Sequence, residues 1–402
     1  MATDTRRSFQ NQATPVTTPT PRIDNAMLSL NEALDDLGRL RVCTEALNVD
    51  FDLPPAEARS CIDAFADLAN NMVIPDNFPH TVIDTKLLRA LPDVIDSPYI
   101  NIDPGMRVMY YNALYYGLQR IRSPSDALTT KAYVKVLESV PAWLEVPNET
   151  SMDGHTAALT AWTAINNHDY QLSWKFHCKS CQYIKARGID QLDVTPARTS
   201  EEESQRDIYR YLYWHILSTD TLFRMFYGKP TVVRWSDKVR PPRIFSSNNM
   251  HPSASQVTIS VVWVRYTHST VEMLNFIDNY GQDRSDGILA HKVDECCGRL
   301  EELIVEWKLE ALMSADDTSI NYRCLLADHI SKLCRGMDLR DADRLTIRLV
   351  NIYTVIIGLQ RLVTKARPGH TTLRAARRVA NIISHFHTDP ALNEKSKSIT
   401  NQ

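Results

Sequence analysis

Apolar positions recur along most of this chain at steps of three and four, the spacing that gathers them on one face of an α-helix. In residues 23–48 Met27, Leu30, Leu34, Leu37 and Val42 fall close to one face. In PAEARSCIDAFADLANNM, which opens on a proline suited to a first helical turn, the recurrences are Ala58, Cys61, Ile62, Phe65 and Leu68. The run GMRVMYYNALYYGLQRIR reads as an apolar, aromatic helix that stops before Pro124. The spacing predicts further helices at 128–140, 154–166, 170–187, 200–227, 286–313, 319–335, 340–366 and 372–387. One segment is ambiguous. The β-branched residues of VTISVVWVRYTHSTVEMLNFIDNY favour a strand, whereas its length and its helical neighbours favour a helix, which is the reading adopted.

Between residues 73 and 105 the prolines Pro75, Pro79, Pro92, Pro98 and Pro104 break the pattern into short helical pieces joined by loops. Residues 231–256 hold three prolines and no helical period, and read as an extended excursion across the surface. Residues 1–22 are rich in Thr, Pro, Gln and Asn, with too little apolar surface to offset the entropy of ordering, and residues 391–402 form a polar tail. No internal repeat at solenoid periods is present. The expected architecture is therefore all-α, a single large helical domain over 23–390 between disordered N-terminal and C-terminal segments.

Composition removes several classes of function. A formal charge of −3 gives the whole chain no pull on phosphate backbones or anionic membranes. Glycine is scarce, at 12 residues, and the phosphate-cradling and nucleophile-elbow patterns GxGxxG, GxxxxGK[ST] and GxSxG do not occur. The longest apolar runs, VTISVVWV and YTVIIGL, fall well short of the roughly 20 residues a membrane helix needs. The first residues lack the apolar core of a secretory signal, so the eight scattered cysteines are expected as free thiols in a reducing compartment.

The most suggestive short stretch is FHCKSCQYIKARGID, where His177 adjoins Cys178 and Cys181 lies three residues further on. A structural zinc site needs about four ligands, and the other cysteines supply no second knuckle. A redox dithiol would follow a strand, whereas the preceding NNHDYQLSWKFH reads as helix. On a helix Trp174, Cys178 and Cys181 share one face and Gly188 caps the end, so the thiols are expected to be small buried hydrophobes. The acidic pairs Asp35/Asp36 and Asp316/Asp317 would suit a magnesium-diphosphate cyclase but lack a third acid. His291 with Glu295, and His385 with His387, have metal-ligand spacing without a third neighbour, and are expected at the surface. In TTLRAARRVANIISHFH the spacing sets Leu373, Ala376, Ala380 and Ile383 on one face, with Arg374, Arg377, Arg378 and His385 largely on another; a solvated basic face is expected. No catalytic, cofactor-binding, metal-binding or DNA-binding residue is assigned from these patterns, and no cofactor is required by them.

The run TSEEESQRDIYRYLYWHILSTDTLFRMFYGKPTVV carries more information. Ser200 and Glu203 stand in capping-box register, with Glu201 and Glu202 favourable beside the positive helix end. Ile208, Leu212, Ile216, Thr219, Phe223 and Phe226 form one stripe, and Tyr209, Tyr211, Tyr213, Trp214, Leu217 and Met225 fill the other sides. A helix apolar nearly all round belongs inside a domain. Asp220 falls in that stretch, where an ion pair with Arg224, one turn on, is expected; Gly228 and Pro230 should stop the helix.

This run resembles the hallmark of the regulatory middle region of fungal zinc-cluster transcription factors: two arginines, an aromatic pair, an aspartate and a Gly-Arg-Pro. Arg210 matches one arginine and Tyr211 departs from the other. Tyr213 and Trp214 match the aromatic pair, Asp220 the aspartate, and Gly228, Lys229 and Pro230 the last element with lysine for arginine. The helix ending YIKARGID is similar to the family's usual Leu-Gly-Leu closure, and SDKVRPPRIF stands where its proline-containing connector would be. The family's six-cysteine zinc cluster has no counterpart in residues 1–100, which hold only Cys43 and Cys61. The resemblance implies a nuclear regulator of a fungal pathway or secondary-metabolite gene set. It would act without turnover and without a cofactor, with a protein partner supplying DNA contact and a small-molecule effector as a further possibility. The alternative is a diverged helical enzyme or a non-DNA accessory protein of such a pathway.

Overall fold

In a computed structural model of the chain, the described residues are 51–70, 84–122, 126–146, 150, 152–243, 254–279, 287–312, 339–363 and 368–388. Among them are eleven α-helices and no strand, so the all-α expectation holds. The predicted helices at 23–48 and 319–335, the terminal segments 1–22 and 391–402, and both acidic pairs lie outside the described residues.

The helices are α1 (Pro55–Asn70), α2 (Thr85–Ala90), α3 (Pro104–Ile121), α4 (Ala127–Leu144), α5 (Asp153–Asn166), α6 (Tyr170–Ala186), α7 (Ser200–Tyr227), α8 (Ala254–Asn279), α9 (Gly287–Glu306), α10 (Leu339–Val363) and α11 (His370–Thr388). The ambiguous β-branched segment is helix, as α8. Helix α4 runs past the expected stop and includes Pro141. Helix α9 ends earlier than its apolar spacing suggests, because Lys308 turns left-handed (φ 50°) and a short 3-10 turn at Leu309–Leu312 follows.

The chain divides into two compact units. The first comprises residues up to Leu192 together with Tyr211–Val233, and the second comprises Asp193–Arg210 and Arg234–Ser396. Helix α7 is thus shared, passing from the second unit to the first between Arg210 and Tyr211.

In the first unit α3 is the centre, packed by α1, α4 and α5, while α5 lies against α6. Nearly every residue of α3 from Val108 to Leu118 is buried, which accounts for the absence of a polar stripe in its sequence. Two glycines set the interhelical spacing. A Cβ on Gly117 would stand 2.2 Å from the carbonyl oxygen of Cys61 on α1, and one on Gly154 would meet the Tyr183 ring of α6 at 2.3 Å. Several of the polar groups buried here are paired across helices. Asn112 Nδ2 donates to Thr160 Oγ1, Thr163 Oγ1 donates to Asn112 Oδ1, and Trp143 Nε1–H donates to Asp153 Oδ1. Such bonds answer the desolvation cost of each group.

In the second unit α8, α9 and α10 pack on one another and α11 lies on α10. Helix α11 corrects an expectation. Leu373, Ala376, Ala380 and Ile383 are exposed, and the buried face is Thr372, Ala375 and Ile382, one residue out of register. Two of the four residues on the expected face are alanines with little apolar area, and the basic side chains find partners, Arg374 on Glu301 and Arg378 on Glu310.

Candidate functional site

Helix α7 is laid out almost as its sequence predicts, with one shift at its start. Thr199, rather than Ser200, is the cap: its Oγ1 accepts from the Glu202 N–H, and the Glu202 carboxylate accepts from the Arg198 N–H. Glu203 is thereby released for another task. Residues Arg210–Leu217 are all buried, which fits the apolar surround. The helix ends at Tyr227, where Gly228 adopts φ 59° and the Lys229 N–H closes onto the Phe223 carbonyl.

The start of α7 holds, inside the second unit, a charge cluster built round one buried arginine. Arg210 is 1 % exposed. Its Nε donates to Asp193 Oδ2 at 3.0 Å, and its Nη1 donates to Glu203 Oε1 at 3.0 Å and Asp207 Oδ1 at 3.2 Å. Arg240 joins from the following connector, with its N–H on Asp193 Oδ2 at 2.8 Å and its Nη2 on Glu203. The Arg243 N–H donates to Asp207 Oδ1 at 2.9 Å. Burial alone would raise Asp193, but the bonds from Arg210 and Arg240 hold it well below the usual carboxylate range. The Arg210 bond likewise lowers Glu203, whereas burial outweighs the arginines at Asp207 and raises it. Three arginines meet three acids, so the cluster needs no further counter-ion. Its role is to fasten residues 240–243 to the first turns of α7.

The second site lies in the first unit, where α6 faces the later part of α7. His177 Nε2 stands 2.9 Å from Asp220 Oδ1, and Cys181 Sγ stands 3.4 Å from the same nitrogen. The three side chains are at most 2 % exposed, and their donor atoms all lie within 4.8 Å of one another. Phe223 and Trp174 wall the imidazole at ring separations of 5.1 and 5.5 Å, and Lys229 Nζ sits over Trp174. Asp220 also accepts the Val232 N–H at 3.3 Å, so it fastens the chain after Gly228 to the helix it has just left. Burial, and then the Asp220 charge, push the Cys181 thiol well above its ordinary value, which keeps it protonated.

The sequence offers Arg224 as the partner of Asp220; the structure supplies His177 and a backbone N–H. The stripe expected on α6 is also rotated. Trp174 and Cys178 are half-buried at its edge, and His177 and Cys181 occupy the buried face. One signal could have found this pair. Residues four apart on a helix stand one above the other, so the sequence already sets His177 and Cys181 as a ligand-type pair, whereas Cys178 and Cys181 are the more conspicuous spacing. Among the described residues the cysteines are Cys61, Cys178, Cys181, Cys296 and Cys297, all free thiols and all buried except the half-buried Cys178.

The remaining candidates do not assemble. His291 and Glu295 are exposed on α9, with Glu295 paired to Lys292. The side chains of His385 and His387 lie outside the described residues. Among the described residues no helix is long and apolar enough to cross a membrane. Comparison with known proteins adds no relative: no family model, curated protein or solved structure matches the chain.

Proposed function

We propose that this chain is the regulatory body of a transcription regulator of the kind its central run resembles, reaching promoters through a partner that supplies the DNA contact. One correspondence carries the reading. The residues that make the resemblance are those on which α7 physically depends: Arg210 holds the connector, Asp220 holds the Val232 amide, and Gly228 takes the left-handed turn. Tyr213 and Trp214, the aromatic pair, are buried. A shared run whose members secure a long buried helix belongs to a scaffold that positions surfaces, and such a scaffold needs no turnover.

Regulation by a helical body requires two packings that a ligand or partner binds unequally, since equal binding shifts no equilibrium. The expected place of action is the nucleus, with a protein partner and a small-molecule effector. Deleting the gene and measuring transcripts tests the reading. A coherent set of genes should change in level, and an unaltered transcript profile would reject it.

A second reading, a diverged helical enzyme or accessory protein, is favoured by one observation, the meeting of His177, Cys181 and Asp220 in a buried place. Loss of a metabolic product without any transcript change, on substitution of these residues, would select it.

A further inference from the structure

We infer that His177, Cys181 and Asp220 form a binding site for a divalent transition-metal ion of the zinc type, tying the middle of α6 to α7. The first ground is geometric. Both neighbours of the imidazole address the same atom: Asp220 Oδ1 at 2.9 Å and Cys181 Sγ at 3.4 Å from Nε2. A nucleophile relay would use the two ring nitrogens separately, the acid on one and the thiol on the other, so this is not the arrangement of a cysteine activated by an acid-oriented histidine.

Hydrogen bonding alone also leaves the cluster incomplete. Nε2 carries one proton or none. With the proton it donates to the carboxylate and offers the thiol hydrogen no lone pair. Without it, Nε2 accepts from the thiol and sets its lone pair against a carboxylate oxygen. A cation among the three donor atoms satisfies all of them at once, and these atoms are mutually within 4.8 Å.

The donor set then selects the ion. Imidazole nitrogen, thiolate sulfur and one carboxylate oxygen suit zinc and its neighbours, whereas magnesium and calcium take oxygen alone. Charge agrees. A dication with one thiolate, one carboxylate and a neutral imidazole sums to zero, the condition under which three side chains at most 2 % exposed can hold an ion without a large desolvation cost. On binding, the Cys181 S–H bond breaks, a sulfur–metal bond forms, and the proton leaves to solvent; there is no change of oxidation state. Three protein ligands leave a fourth position, as in zinc sites that also accept a water or a small ligand.

The inference goes beyond the transcriptional reading and does not rest on it. Its test is a cobalt titration of the full chain, purified under reductant and freed of metal by chelation. Expected is a thiolate-to-cobalt charge-transfer absorption that saturates at one ion per chain and is abolished by competing zinc. Cys181→Ser should remove the charge-transfer absorption. His177→Gln and Asp220→Asn should weaken cobalt binding by more than the roughly 10–100-fold that even an outer-shell change costs. Cys178→Ser should retain the absorption, because Cys178 is not in the cluster. Absence of the absorption in the unaltered chain, a reading that no variant's folding can disturb, would overturn the assignment; so would its survival in Cys181→Ser or its loss only in Cys178→Ser. None of these outcomes bears on transcript levels, so the two readings fail separately.

Discussion

His177 Nε2 and Asp220 Oδ1 lie 2.9 Å apart although 43 residues separate them in sequence. The same carboxylate oxygen accepts the Val232 N–H, so one buried acid joins α6, α7 and the chain that leaves α7. Truncating it strands two polar partners in an apolar surround. Asp220→Ala is expected to cost about 1–3 kcal/mol in denaturant unfolding under chelating conditions, with Asp220→Asn retaining part of the loss. An Asp220→Ala chain as stable as the unaltered one would mean that these bonds contribute nothing.

Arg210 is the least replaceable side chain at the start of α7. Removing one member of a buried ion cluster leaves the others uncompensated, and Arg210→Met is expected to destabilise by about 3–5 kcal/mol. Arg210→Lys keeps the charge but cannot reach Asp193, Glu203 and Asp207 together, and should fall between. Thermal unfolding of the purified variants gives the order; a lysine variant as stable as the original would show that the guanidinium fork is not used.

The same cluster makes stability depend on pH. Asp193 and Glu203 have carboxyls lowered in the folded chain, so their contribution is present above the unfolded carboxylate value and is lost as pH falls through that range, below about pH 4–5. Asp207 is raised by burial and works in the opposite sense, its penalty easing as it protonates. Two lowered acids against one raised give net loss on acidification. Unfolding measured from pH 7 towards pH 3 should show this slope, and the slope should be shallower in Arg210→Met.

Glycines at two positions should respond with opposite signs. An added methyl at Gly117 would meet the Cys61 backbone at 2.2 Å, which cannot move aside as a flexible side chain would. Gly117→Ala is expected to cost about 1–3 kcal/mol by overpacking. Gly298, within α9, has nothing within 4 Å, and Gly298→Ala should stabilise by about 0.5–1 kcal/mol through helix propensity. Chemical denaturation of the two variants checks both signs together.

Much of this fold was legible in local pattern, because helices declare themselves over a few turns. The bounds of α7 at Ser200–Tyr227 and the left-handed glycines at 188 and 228 match the spacing and the cap residues. Local pattern fails where the deciding partner is distant. The shift of the cap from Ser200 to Thr199 goes together with Glu203 pairing with Arg210, a partner that local spacing does not announce. The rotation of α11 depends on which face suits α10, and two alanines could not announce it. His177 and Cys181 were visible as a one-turn pair, but the third member, Asp220, comes from another helix, and no spacing rule connects them.

The most direct test of the regulatory account is chromatin immunoprecipitation of the tagged full chain in its own cells. The account predicts enrichment at a defined set of promoters, lost when the DNA-contacting partner is removed. A chain that crosslinks to no promoter above background would contradict it.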